Sequence, residues 1–388
     1  RSYSVTGVQT CALPIFKRVN MKKTAILVLL VAIAASCARE PQYRITGTID
    51  GAGSEVVILQ KRIPGGYDVI DSATIENGSF EMTGTVEYPQ MVNLAIKNKR
   101  GGLNFFIENS DITVHGHADS LWLASVAGSL TQGEFDTYKA AFDESNEEMS
   151  KIYDRYREAR MAGDDELAGS IEKEIEALDA RQTEMRKEFI ANNPASYVAP
   201  TVLNEISYYL EADELESMLG KLDTSLNKVQ SVATLKERLV KLKAVAVGQK
   251  APDFTLNDTE GNPVSLYSKL GGDTKLLLID FWAAWCPPCR QENPNVVKVW
   301  KEYNKRGFDV LGVSLDRSRE DWLKAIEDDK LTWTHISDLK YWDCAPAKLY
   351  AVTGIPANFL VDGEGVIVGH NLRGAALEEK VKELLGAK

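Results

Sequence analysis

At 388 residues the chain exceeds what one hydrophobic core usually serves, so two or three domains are expected. Its 44% hydrophobic and 26% charged residues are those of ordinary globular protein. A net charge of -11 argues against nucleic acid as a partner.

Residues 1–20 read as a sequencing or translation artefact. Val5 to Ile15 resembles the conceptual translation of a library adapter read into a frame whose start is Met21, so Cys11 is set aside. From Met21 the pattern is secretory: Lys22 and Lys23, an apolar run from Ala25 to Ala35, then small residues before Cys37. A stable spanning helix needs about 20 apolar residues, more than this run supplies. Ala34-Ala35-Ser36-Cys37 resembles a bacterial lipobox, with Ala where Leu is commoner. That implies a signal peptide over 21–36 and a lipid on Cys37, anchoring the mature chain outside the cytoplasm. A plain cleavable signal, with Cys37 merely following the cut, is the alternative.

Over 42–129 short alternating runs are broken by glycine and asparagine. Tyr43–Ile49, Glu55–Leu59, Asp68–Ile75, Ser79–Gly84, Met91–Ile96, Phe105–Ile107 and Ile112–Gly116 read as strands, with a hairpin turn at Glu76-Asn77-Gly78-Ser79. An antiparallel sandwich or barrel is the economical reading. It resembles the β domain of unknown function that often precedes thioredoxin domains in lipoproteins of gut-type bacteria. His115 and His117 share one strand face, but two histidines without a third ligand read as a polar face, not a metal site.

Over 130–245 the period becomes helical. Phe135, Tyr138, Phe142, Met149, Ile152, Tyr153 and Tyr156 recur at three- and four-residue steps, as a packing face between two antiparallel helices would. A second long helix is expected from Glu166 to Ala191, stopped by Asn192-Asn193-Pro194. Shorter ones are expected over Ala199–Glu211, Asp213–Leu219 and Leu226–Lys243.

The last region, 246–388, opens on Val247 to Leu256 and contains the unbroken apolar run Leu276–Ile279. That run leads through Asp280-Phe281-Trp282-Ala283-Ala284-Trp285 into Cys286-Pro287-Pro288-Cys289. A strand feeding a helix is implied, the helix starting at Pro287 with Cys286 at its N-cap and Cys289 about one turn in. Unpaired amides and the helix dipole there favour a thiolate on Cys286, the natural nucleophile, and Cys289 is close enough to resolve a mixed disulfide. Zinc would need two further Cys or His ligands at similar spacing, and no second pair exists. Around this core the pattern continues as strand Phe308–Leu315, helix Arg319–Asp328, strand Thr332–Ile336, hairpin Ala357–Val368 and helix Ala375–Leu385. A βαβ half thus joins a ββα half.

The segment from Asp280 to Cys289 resembles the thioredoxin active site, and Cys286, Cys289 and Glu292 meet the Cys-x-x-Cys-x-x-Glu pattern of TlpA/ResA-like extracytoplasmic thiol:disulfide oxidoreductases. The resemblance covers about the last third of the chain and implies an α/β thioredoxin fold. It also implies that Val352 to Ala357 is the family's cis-proline turn, with Pro356 and the Ile355 backbone receiving the substrate chain. Trp285 and Pro287 would shape the docking surface. Ala357 stands where Thr is commoner, which leaves a side-chain hydrogen bond at that position open. Glu292 or Asp280 would move the proton, Glu292 being favoured because it shares a helix face with Cys289. No nucleotide or metal is implied; the dithiol is the cofactor. The expected partners are protein thiols or disulfides of the envelope and a membrane electron donor. A peroxiredoxin-like peroxidase shares the Ala251-Pro252-Asp253-Phe254 opening, but Asp280 and Ala283 stand where that family's Pro and Thr would be. A surface binding lipoprotein with an accessory redox domain is the third reading. Cys344, at an expected helix start, is read as dispensable.

Overall fold

The computed structural model describes residues 42–63 and 65–386; the expectations on Cys11, the signal segment 21–36 and Cys37 lie outside them. The chain divides into two compact units, the division falling between Gln132 and Gly133.

The first unit is built from β1 (Tyr43–Asp50), β2 (Val56–Ile63), β3 (Gly66–Thr74), β4 (Ser79–Gly84), β5 (Gln90–Ile96), β6 (Leu103–Ile107), β7 (Asp111–His117) and β8 (Ser125–Ala127). Two four-stranded sheets result, ordered β4-β1-β7-β8 and β3-β2-β5-β6. Alternation makes their shared core: Ile45, Ile49, Ile112 and Val114 from one sheet meet Val57, Leu59, Leu94 and Phe105 from the other. Each such side chain, fully buried, contributes about 1.5–3 kcal/mol. The unit is not wholly antiparallel, because β1 runs parallel to β7, Ile45 opposite Ile112. The intervening chain passes through the other sheet and re-enters beside β1, as parallel pairing requires. The turn at Asn77 and Gly78, with φ of 51° and 77°, fits a hairpin, yet it joins strands of different sheets.

Helices follow: α1 (Leu130–Ala140), within which the division falls, then α2 (Asp143–Ala162), α3 (Asp165–Asn192), α4 (Ala199–Ile206), α5 (Ala212–Lys221) and α6 (Gln230–Ala244) of the second unit. The α2–α3 turn is closed by Gly163 in the left-handed region and by Asp164, whose side chain accepts from the Leu167 amide at 3.0 Å. The aromatic stripe packs as expected at Phe135, Tyr138 and Phe142, but the helix is interrupted there and Tyr153 is 47% exposed. The helix expected over Ala199–Glu211 ends at Ile206, and the one expected from Leu226 is a 3-10 turn followed by α6.

The α/β part follows with β9 (Thr255–Asp258), β10 (Pro263–Ser265), β11 (Leu276–Trp282), α7 (Pro287–Tyr303), β12 (Phe308–Ser314), α8 (Arg319–Asp328), β13 (Thr334–Ser337), α9 (Ala345–Leu349), β14 (Ala357–Asp362), β15 (Ile367–His370) and α10 (Ala375–Leu385). Its sheet is ordered β10-β9-β13-β12-β11-β14-β15. Parallel pairing of β11, β12 and β13 and antiparallel pairing of β14 and β15 give the two expected halves; β9 and β10 add an edge that the sequence pattern does not announce. Every residue of β11 is buried, as its unbroken apolar run demands of a central strand. Gly307, at φ 103°, turns the chain from α7 into β12 where a Cβ would meet the Asp273 carbonyl oxygen at 2.7 Å.

Candidate active site

Strand β11 delivers the chain to Cys286, which caps α7: its Sγ accepts from the Cys289 amide at 3.2 Å. Pro287 takes the first helical position, where a missing amide costs nothing. Cys286 and Cys289 are joined in a disulfide with Cα atoms 5.3 Å apart. Both are buried, whereas Pro287 and Pro288 are exposed. Opposite the pair lies the cis peptide Ile355–Pro356, with the Ile355 carbonyl oxygen 3.6 Å from Cys286 Sγ. Arg373 donates to the Pro356 carbonyl, and Ala357 begins β14 opposite Phe281, tying the turn to the strand that carries the cysteines.

The loop between β11 and Cys286 is held from both sides. Both Asp316 carboxylate oxygens lie 3.1 Å from the Ala284 amide, and Ser314 Oγ donates to one of them at 2.8 Å. Burial pushes the Asp316 pKa up, against the Ala284 amide and Ser314 hydroxyl that hold it down. Arg290 Nη1 is 3.5 Å from the Ala284 carbonyl oxygen and pairs bidentately with Asp329, which also accepts from Asn293. Trp285 donates through Nε1 to the Leu315 carbonyl at 3.3 Å and is 42% exposed. Its ring packs on Tyr341 at 4.9 Å and Trp342 at 6.1 Å, with Arg317 over Tyr341.

Two carboxyls differ in environment. Asp280 is buried in β11, and its pKa is raised to about 7, chiefly by desolvation and then by the charge of Glu292, with Arg373 opposing. Glu292 is half-buried, and its Oε1 accepts from the Gly374 amide at 2.9 Å and from Asn295 Nδ2 at 2.7 Å, tying α7 to the start of α10. Cys344 is fully buried and its thiol is pushed up to about 11 by burial.

Residues 247–370 match the AhpC/TSA family, and residues 43–135 match DUF4369, a domain of unknown function. The thiol-disulfide oxidoreductase ResA of Geobacillus thermodenitrificans is 32% identical over 142 residues, which cover 37% of this chain and 78% of that protein. The chain belongs to the ResA/TlpA-like thiol-disulfide oxidoreductases. ResA of Bacillus subtilis is 28% identical over 126 residues, 32% of this chain and 67% of that one. The thioredoxin domain of a Bacteroides vulgatus thiol-disulfide oxidoreductase is 40% identical, covering 36% of this chain and 99% of that domain, with a TM-score of 0.34.

A ResA-like oxidoreductase uses its Cys-x-x-Cys pair, here Cys286–Cys289. Of the residues expected from sequence, Cys286, Cys289, Trp285, Pro287, Ile355 and Pro356 lie about the disulfide, and the charge of Glu292 acts on Asp280. Sequence reasoning missed Asp316, Arg290, Arg373 and the Tyr341–Trp342 platform. Asp316 alone left a signal: an acid closing the apolar run of β12, at the carboxyl end of a central parallel strand, where α/β sheets place functional groups.

Proposed function

We propose that this oxidoreductase reduces disulfides of proteins in the cell envelope, with electrons returned to it by a membrane donor. In the reduced protein the Cys286 thiolate attacks a substrate sulfur, forming a mixed disulfide and releasing the first substrate thiolate. Cys289, deprotonated, then attacks Cys286 Sγ; the second substrate thiolate leaves, and the two protons given up by the cysteines end on the substrate dithiol. What supports this reading is the cysteine pair at the start of α7 with the cis Ile355–Pro356 turn facing it. Pro356 and Ile355 receive the substrate backbone, while Trp285 and Pro287 form the exposed rim.

The resolving proton goes to Asp280 in this scheme. A group with a pKa of about 7 accepts a proton at neutral pH and gives it up again, whereas Glu292 is engaged by Gly374 and Asn295 and adds its charge to the burial that chiefly raises the Asp280 pKa. This scheme differs from the helix glutamate favoured on spacing, and the pH profile of mixed-disulfide release in Asp280→Asn and Glu292→Gln decides between them.

The chain is proposed to work outside the cytoplasm on a lipid at Cys37; among the described residues no helix is long and apolar enough to cross a membrane. Fatty-acid labelling in a bacterial host tests the anchor, and label retained by Cys37→Ala would refute it. The activity is tested by insulin reduction with dithiothreitol as donor: Cys286→Ala should abolish it and Cys289→Ala should trap a mixed disulfide. Reduction of insulin by Cys286→Ala at the wild-type rate would overturn the scheme. A peroxide-consumption assay distinguishes a peroxidase, which rapid turnover there would favour.

A further inference from the structure

Within the second unit an open cleft of about 790 Å³ separates the cis-proline turn from the helical segment, with Tyr208, Tyr209 and Arg238 on the helical side and Thr353 to Pro356 on the other. The turn also faces the disulfide, and Ile355 and Pro356 line the cleft, so an extended chain joined to Cys286 and lying along Ile355 would reach it. The amides of Thr353, Gly354 and Ile355 have no acceptor among the described residues, which leaves donors for an extended chain. Tyr209 is 71% exposed and offers an aromatic wall.

The charges in the cleft are unequal in what they hold. Glu211 meets His370 at 3.4 Å and also caps its own helix α5; Asp213 sits in that helix's first turn; Arg373 donates to the Pro356 carbonyl. Arg238 is half-buried, stacked 5.0 Å from the Tyr208 ring centroid, and among the described residues donates only to the Ser207 and Ala351 carbonyls, at 3.0 and 3.4 Å. No carboxylate lies within ion-pair distance of it among the described residues. Taking a cation out of water is costly unless it is paired, so an anionic group from outside has most to gain here.

We infer that the cleft between α4–α6 and the cis-proline turn is a substrate-selecting site, taking an extended segment of the disulfide-bearing polypeptide with an acidic side chain on Arg238. The inference rests on the proposed disulfide reduction and deepens it by naming the substrate class. The test uses the reduced full chain and two cyclic disulfide peptides differing only in Glu or Lys beside the cysteine. A charge-assisted contact should make the Glu peptide about tenfold faster in second-order reduction. Arg238→Gln should bring the ratio to about one, and Arg238→Lys should restore part of it. Equal rates for the two peptides with the wild type overturn the inference whether or not the variants fold, as does a preference that survives in Arg238→Gln. The uncharged small disulfide dithiodipyridine reports the redox reading separately. A wild type that reduces dithiodipyridine and both peptides alike retains the reading and loses the cleft; one that reduces none of them loses both.

Discussion

Replacing Asp280 by Asn separates its electrostatic role from its packing role. The carboxyl is buried and its pKa rises from 3.8 to about 7 on folding, so the folded state holds the proton more tightly than the unfolded chain. Such a group stabilises the fold fully below the unfolded value, and that contribution is lost as pH rises through about 7. At about 1.4 kcal/mol per tenfold, the gap between 3.8 and about 7 corresponds to about 4 kcal/mol of wild-type stability lost between pH 4 and 8. Asn cannot ionise, so Asp280→Asn should gain on the wild type across that window. Denaturant unfolding at pH 5 and pH 8 measures it, and a wild-type-to-variant difference that does not change with pH would refute the reasoning.

The proposed role of Asp280 carries a kinetic expectation as well. If Asp280 takes the Cys289 proton, its ionised fraction limits mixed-disulfide release, which should slow roughly 90-fold from pH 8 to pH 5 in the wild type. Asp280→Asn should slow release and flatten that profile. Because the Glu292 charge raises the Asp280 pKa and the Arg373 charge lowers it, Glu292→Gln should move the midpoint to lower pH and Arg373→Ala to higher pH. A profile lost in Glu292→Gln but intact in Asp280→Asn would return the role to the helix glutamate.

Asp316→Asn removes the charge that fixes the Ala284 amide and should cost about 1.5–3 kcal/mol in denaturant unfolding, with a change in Trp285 fluorescence as its loop loosens. Cys344→Ser should keep insulin reduction near wild type, since a buried thiol with its pKa at about 11 is not ionised at neutral pH; a large loss would break the two-cysteine scheme. Leu94→Ala in the first unit should cost about 2–5 kcal/mol in the unfolding of that unit, read by calorimetry, while leaving dithiodipyridine reduction by the second unit unchanged.

What the sequence could reveal depends on how far apart the interacting groups stand. The run Leu276–Ile279, the prolines at 287 and 288 and the cysteines three apart are contiguous, so strand, helix start and N-cap are all legible in the order of the residues. Alternation likewise marks most strands of the first unit, but a period of two carries no direction, and the parallel pairing of β1 with β7 spans a passage through the other sheet. The groups that hold the surrounding loops are more distant. Asp316 reaches Ala284 across 32 residues, and Arg238 reaches Ala351 across 113, so no local pattern links them. The Asp280–Glu292 relation is hidden for a related reason. Helical spacing puts Glu292 on the Cys289 face, whereas the proton affinity of Asp280 follows from burial and from two charges delivered by different elements. Local sequence therefore marks the cysteine pair and its helix start, and long-range packing sets the raised proton affinity of Asp280.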